Sequence, residues 1–308
     1  MHRRLRIGTR ASALALAQAQ EARDRLCTAH GLTEEAFEIV PMTTTGDKIQ
    51  DRSLADAGGK GLFTKELEEG LFDGRIDFCV HSSKDMPTKL PEGLEIIAYL
   101  EREDPRDVLI SPVAATLEEL PFEAVVGTSS LRRQALVKRL RPDIATVTFR
   151  GNVQTRLRKL EEGQVAATLL AYAGLRRLDL ASVATQVLSL DDFPPAPGQG
   201  AICIEARSSD IETRALIAAI QHDATATALT CERAFLETLD GSCRTPLAGY
   251  AEVEGRHVNM RGMILTPDGS QVHELALEGD AAQAQEIGRK LGSLLREMAG
   301  TAFFDGWS

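Results

Sequence analysis

The sequence predicts an α/β protein that ends in a small α+β domain. Over the first two-thirds, short apolar runs alternate with stretches of helical periodicity, which points to parallel sheets covered by helices. From about His222 the pattern changes to longer alternating runs split by Glu254-Gly255 and Asp268-Gly269, which read as hairpins of an antiparallel sheet. The length of 308 residues agrees with two or three domains of roughly 100–200 residues each.

Leu5–Gly8 reads as the first strand, and Ala13–Leu26, rich in Ala, Leu and Gln, as the first helix. Phe37–Val40 is a second strand, Phe63–Phe72 a helix, Phe78–Val80 a third strand and Leu94–Tyr99 a fourth. The charged, proline-broken run Glu101-Arg102-Glu103-Asp104-Pro105-Arg106-Asp107 reads as a linker. A second alternating set follows, with strands at Val108–Ile110, Val125–Gly127, Thr146–Phe149 and Ala167–Leu170 and helices at Leu131–Leu140 and Val153–Glu161. Asp191 to Gly200, with three prolines and two glycines, is a second crossover. The last part holds a helix near Thr227–Leu239, strands at Leu247–Val253, His257–Leu265 and Gln271–Leu277, and a helix over Ala281–Met298.

Net charge is −10 and aromatic residues make up 5% of the chain, which disfavours nucleic acid as a partner and leaves few platforms for base stacking. The basic start Met1-His2-Arg3-Arg4-Leu5-Arg6 leads into no long apolar run, so neither a signal peptide nor a membrane span is expected. The five cysteines are odd in number and scattered, with no CxxC pair or metal-spaced Cys/His cluster. They read as reduced cytoplasmic thiols, mostly core, and no metal is expected.

Polar and charged residues collect behind the predicted strands. Thr9-Arg10-Ala11-Ser12, His81-Ser82-Ser83-Lys84-Asp85, Thr128-Ser129-Ser130-Leu131-Arg132-Arg133 and Arg150-Gly151-Asn152 each follow a strand, and Arg156 lies farther along the next helix. Ligands of open α/β sheets bind outside the carboxyl ends of the strands, where helix N-termini favour anions and arginine forks grip carboxylates. One such loop alone reads as a helix cap with a solvated arginine. Arg10, Lys84, Arg132, Arg133, Arg150 and Arg156 together, in an acidic chain, read as a site for a ligand with several carboxylates or phosphates.

Asp85 is the exception, a carboxylate beside Lys84 that is either a structural ion pair or a counter-charge for a cationic intermediate. His81 could act as a base, but a histidine between a strand and a serine pair is more often packed or capping. Met42 to Gly61 is a long polar stretch whose Gly58-Gly59-Lys60-Gly61 lacks the Ser or Thr of a phosphate loop, so it reads as a lid. Cys243 sits on the Gly241-Ser242 turn beside Arg244, which favours its thiolate.

These segments together resemble the hydroxymethylbilane synthase (porphobilinogen deaminase) family. The matching stretches are Arg6–Arg10, Gly58–Phe63, His81–Pro87, Glu101–Asp107, Gly127–Gln134, Arg150–Val153, Gly198–Ala201 and Cys243. The resemblance implies two α/β domains like those of periplasmic binding proteins, at 1–100 with 199–220 and at 105–193, and a C-terminal α+β domain at 222–308. It implies a dipyrromethane cofactor attached to Cys243 through a thioether, and porphobilinogen as the small-molecule substrate. Four porphobilinogen molecules are joined head to tail with loss of ammonia, and linear hydroxymethylbilane is released by hydrolysis. Asp85 corresponds to the catalytic carboxylate that stabilises positively charged pyrrole species. Lys84, Ser82, Thr128, Ser130, Arg132 and Arg133 correspond to cofactor contacts. Arg10, Arg150, Arg156 and Arg177 correspond to substrate carboxylate contacts, and Phe63 to an aromatic near the incoming ring. A monomer without nucleic-acid or membrane partners is expected.

Two departures stand out: Ser242 replaces the more usual glycine before the cysteine, and Thr45 replaces an arginine found in some members. A different class of protein, an anion-binding or effector-sensing module on the same two-lobed scaffold, would leave Asp85 and Cys243 dispensable. A Schiff-base role for Lys84 is disfavoured, because Asp85 beside it keeps the amine charged.

Overall fold

The computed structural model describes residues 4–48, 61–239 and 246–304. Two compact units are present. One is built from the described parts of Met1–Ile49, Lys60–Glu103 and Gly200–Ala226, and the other from those of Gln50–Gly59, Asp104–Gln199 and Thr227–Ser308.

The first unit begins with β1 (Leu5–Arg10) and α1 (Ala13–His30). Ser12 starts α1 by accepting a hydrogen bond from the Ala15 amide, and Gly31 ends it at φ 62°, a left-handed conformation that suits glycine. Then come β2 (Phe37–Met42), a single turn α2 (Thr45–Lys48), α3 (Lys65–Phe72), β3 (Phe78–Ser82) and β4 (Leu94–Tyr99). The second unit adds β5 (Asp107–Ile110), β6 (Val125–Gly127), α4 (Leu131–Leu140), β7 (Ala145–Val147), α5 (Val153–Glu161), β8 (Ala167–Ala171), α6 (Tyr172–Arg177) and β9 (Gln186–Val187). The chain returns to the first unit for β10 (Ile202–Arg207) and α7 (Ile211–Ile217). It then runs through α8 (Asp223–Thr238), β11 (Leu247–Glu254), β12 (His257–Leu265), β13 (Val272–Asp280) and α9 (Ala284–Ala299).

The two large sheets have the orders β2-β1-β3-β10-β4 and β7-β6-β8-β5-β9, and the third is β11-β12-β13. The alternation of strands and helices predicts parallel sheets, but both large sheets are mixed. β10 runs antiparallel to β3 and β4, and β5 antiparallel to β8 and β9. The reason is topological: β10 and β5 enter their sheets from the crossovers, not from a preceding covering helix, so right-handed βαβ geometry does not constrain them. β10 and β9, together with α6 and α7, also go beyond the elements read from the sequence. β10 is apolar on both faces except for Glu205 and the terminal Arg207, and it follows the proline-rich crossover without a helical run to frame it.

Alternation of side chains across the first sheet makes two cores. Ile7, Phe78, Val80, Ile202 and Ile204 face α1, whereas Cys79 packs with Leu67, Leu71 and Ile76 on the α3 side. In the second unit one buried cluster runs from Leu109, Val126 and Leu136 to Ala248, Met263 and Leu265, so the β11-β12-β13 sheet shares a core with the β5–β9 sheet.

Candidate active site

In the first unit the polar residues gather where β1 and β3 end. β1 delivers Arg10, and β3 runs into a tight turn, Ser83–Asp85, that carries Lys84 and Asp85. The turn is clamped from both sides: Ser83 and Met86 are buried, the Ser83 amide donates to Ala201 O at 2.9 Å and the Met86 amide to Ser83 O at 3.2 Å. A fixed backbone therefore presents a solvent-facing carboxylate, with Asp85 Oδ2 3.8 Å from Arg10 Nη1. Arg10 is held from two more directions. Its guanidinium forks onto Asp47, with Nε 3.2 Å from Oδ1, and lies 4.2 Å from the centre of the Phe63 ring. Asp47 also accepts from Thr44 Oγ1 at 2.7 Å. Partial burial works to raise the Asp47 carboxyl, but the hydrogen bonds from Arg10 and Thr44 outweigh it and hold the group below the usual carboxylate range. Ser82 exchanges hydrogen bonds with the buried Gln18, at 2.9 and 3.1 Å.

In the second unit the predicted residues surround a partner that sequence reasoning did not single out. Asp107, at the start of β5, is fully buried. Arg132 Nη2 meets its Oδ2 at 2.7 Å and Arg133 Nη2 its Oδ1 at 2.6 Å. Gln199 Nε2 donates to the same Oδ1 at 2.8 Å. Burial alone would raise the Asp107 carboxyl, yet the two guanidinium charges and these hydrogen bonds hold it far below the usual range. Arg132 and Arg133 are thus oriented from beneath by a buried carboxylate, and are not the solvated arginines that one such loop alone would suggest. Each also donates to a carbonyl, Arg132 to Pro194 O at 2.7 Å and Arg133 to Leu169 O at 3.0 Å.

Ser130 caps α4 by accepting from the Arg133 amide, and the buried Thr128 Oγ1 accepts from the Ser130 amide at 3.2 Å. Asn152 caps α5, and Gly151 before it takes φ 128°, which a side chain would strain. Arg156, one turn into α5, donates to Gly151 O at 2.9 Å. Burial, with the charges of Arg133 and Arg150 beside it, pulls its guanidinium down to about 10. Arg150 is half-buried before α5, and Arg177 is half-buried in the last turn of α6. Arg132 Nε is buried with no hydrogen-bond partner among the described residues. Two arginines on one buried carboxylate, a third arginine beside them and a buried donor left over are a donor set suited to a ligand bearing several carboxylates.

His81 is buried, with Nε2 3.0 Å from Glu205 Oε2, and belongs to the interior of the sheet. Cys243 with its Gly241-Ser242 turn, and Gln50–Lys60 of the expected lid, lie outside the described residues. The described start of that stretch is tied down, because Thr45 donates to Glu66 and the Gly46 amide donates to Leu62 O at 2.7 Å.

Residues 5–215 match the family description "Porphobilinogen deaminase, dipyromethane cofactor binding domain", and residues 226–297 match "Porphobilinogen deaminase, C-terminal domain". The chain belongs to the porphobilinogen deaminase family. A curated porphobilinogen deaminase from Nitrobacter hamburgensis is 55% identical over 298 residues, covering 97% of this chain and 94% of the relative. Porphobilinogen deaminases are transferases, and the reaction of this chain is hydroxymethylbilane synthesis from porphobilinogen on a dipyrromethane cofactor. Among solved structures, a methionine-bound nutrient-binding protein from Burkholderia cenocepacia is 14% identical, with 71% of this chain and 92% of that chain covered at a TM-score of 0.45. A periplasmic substrate-binding protein from Coxiella burnetii is also 14% identical, with 70% and 91% covered at a TM-score of 0.43. No described helix is long and apolar enough to cross a membrane.

Proposed function

We propose that the two polar clusters divide the work of this reaction, with Asp85 as the catalytic carboxylate and the arginines of the second unit as the grip on acidic side chains. The single observation that carries this reading is the opposite charge balance at the two sheets. Asp85 and Asp47 share Arg10 in the first unit, whereas Arg132, Arg133, Arg150 and Arg156 outnumber Asp107 in the second.

Porphobilinogen carries two carboxylates and a basic amine, and losing the amine as ammonia leaves a cationic pyrrole. Asp85, on a clamped turn and partly open to solvent, stabilises that positive charge and accepts or returns a proton at Oδ1 or Oδ2. Arg10 is held by Asp47 and Phe63, so it orients Asp85 while keeping an edge for a substrate carboxylate. Lys84 and Ser82 flank Asp85 and contact the cofactor. Thr128, Ser130, Arg132 and Arg133 bind cofactor carboxylates, and Arg150, Arg156 and Arg177 bind those of the substrate. The dipyrromethane, attached to Cys243, supplies the pyrrole carbon to which the first substrate is joined. Asp107 acts as a positioning residue, because it fixes the planes of both arginine forks.

The enzyme is proposed to be a cytoplasmic monomer, which agrees with Cys27, Cys79, Cys203 and Cys231 not being joined in disulfides. The first test is the intact mass of the denatured protein beside Cys243→Ser. A mass excess of two linked pyrrole units, absent from the variant, is expected. An unmodified mass that stays unmodified after incubation with porphobilinogen would exclude attachment at Cys243.

A further inference from the structure

The α3-facing side of the first sheet holds a group of polar side chains that the reaction does not use. β3 and β10 pair so that Glu205 lies opposite Cys79 and Cys203 opposite His81. Strand alternation sends all four side chains to the face opposite the α1 core. Cys79 and Glu205 are fully buried, and His81 is nearly so. One ligand atom from each of Cys79, His81 and Glu205 lies within 4.8 Å of the other two. From α3 the buried Glu68 couples electrostatically to the same group, to the Glu205 carboxylate and to His81.

The hydrogen bonding of this group is incomplete. Glu205 Oε2 is 3.0 Å from His81 Nε2, but Glu205 Oε1 and Glu68 Oε1 are buried with no partner among the described residues. Among the described residues the Cys79 thiol donates to Leu67 O, at a long 3.8 Å. Two orphaned carboxylate oxygens in an apolar core carry an unmet desolvation cost that a positively charged guest would remove.

We propose that Cys79, His81 and Glu205 form a binding site for a thiophilic divalent cation of the Zn²⁺ class inside the first unit, with Glu68 adding negative charge beside it. One thiolate, one imidazole and carboxylate oxygen are a donor set that such ions accept. Tetrahedral zinc, with bonds of about 2.0–2.3 Å, needs its ligand atoms roughly 3.3–3.8 Å apart. Cys79, His81 and Glu205, whose ligand atoms lie within 4.8 Å of one another, therefore close by at most about 1.5 Å around the ion. On binding, Cys79 loses its thiol proton to solvent and His81 Nε2 presents its lone pair to the metal in place of its contact with Glu205. The ion would fasten β3 to β10 directly beneath the turn that carries Asp85.

The test uses the full-length holoenzyme, stripped with a chelator and titrated with Zn²⁺ and with Co²⁺. One equivalent of Zn²⁺ held through desalting is expected, and Co²⁺ should produce a near-ultraviolet thiolate-to-metal band. Cys79→Ser should abolish the band and weaken Zn²⁺ binding by more than the roughly 10–100-fold that an outer-shell partner is worth. Glu205→Gln keeps the thiol and the side-chain shape, and should weaken binding while leaving a shifted band. Absence of a thiolate band in the wild type, or a band and affinity unchanged in Cys79→Ser, overturns the proposal. Should Cys79→Ser not fold, the wild-type band together with loss of affinity in Glu205→Gln decides the matter in the same way.

Discussion

The two large sheets share one strand order and carry opposite chemistry. Each has three parallel strands followed by an antiparallel strand and an edge strand, with β10 in the first sheet taking the place that β5 takes in the second. In the first, two carboxylates, Asp47 and Asp85, gather around Arg10 at a partly solvated strand end. In the second, Arg132 and Arg133 converge on Asp107 in the interior, and Arg156 is crowded by Arg133 and Arg150. Topology decides where loops and strand ends meet, because parallel strands deliver their carboxyl ends to one edge. It does not decide the sign of the charge there. A repeated scaffold thus carries a carboxylate-rich cluster on one sheet and an arginine-rich cluster on the other.

The sharpest test of this division is Asp85→Asn. Turnover should fall by about 10²–10⁴-fold, the range of a lost acid–base group, with the cofactor mass and thermal midpoint retained. Single-turnover kinetics and intact mass measure both arms. Loss of cofactor in place of turnover would erase the contrast between the units.

Asp107→Asn should act on the opposite quantity. Removing one partner of a buried ion pair costs about 3–5 kcal/mol of stability, to be read from urea unfolding. The pH dependence has a definite sign. Because Asp107 is held below its unfolded value, its contribution is present above about pH 3.9 and is lost as pH falls through the folded value. The variant should therefore lose part of its stability at neutral pH and show a weaker acid dependence than the wild type. An unchanged unfolding curve would mean that Arg132 and Arg133 orient themselves without it.

The smallest effect is expected at Arg156→Lys, which keeps the charge but removes the fork. KM for porphobilinogen should rise about tenfold, equivalent to about 1.4 kcal/mol, with little change in kcat. A fall in kcat with KM unchanged would move Arg156 from substrate binding to the chemical step.

Most of the elements were legible because their apolar periodicity is local. α4 and α5 begin and end where the run and the caps Ser130 and Asn152 place them, and β12 spans the predicted residues. β9 was not legible: it has two residues and exists only because β5 offers an edge. The antiparallel setting of β5 and β10 was hidden for the same reason, since direction in a sheet depends on which distant strand lies alongside. Among the candidate site residues, Arg10, Asp85, Arg132, Arg133 and Arg156 stand out in the sequence by their places after strands. Asp107 was read as the end of a charged linker, and nothing local shows that it lies beneath two arginines 25 and 26 positions away. Asp47 was read as part of the polar stretch, and its pairing with Arg10 spans 37 positions.

By itself the sequence determined the class of fold, the positions of most helices and strands, the anionic character of the ligand and the family. Those properties reside in periodicity, composition and short motifs, which neighbouring residues specify. Only the tertiary structure decided which charges are paired, which are crowded and which lie buried without a partner. The surroundings of Asp107, Arg156 and Glu205 are assembled from segments far apart in the chain, and the strength of a charge interaction depends on distance and burial, which exist only once the chain is folded.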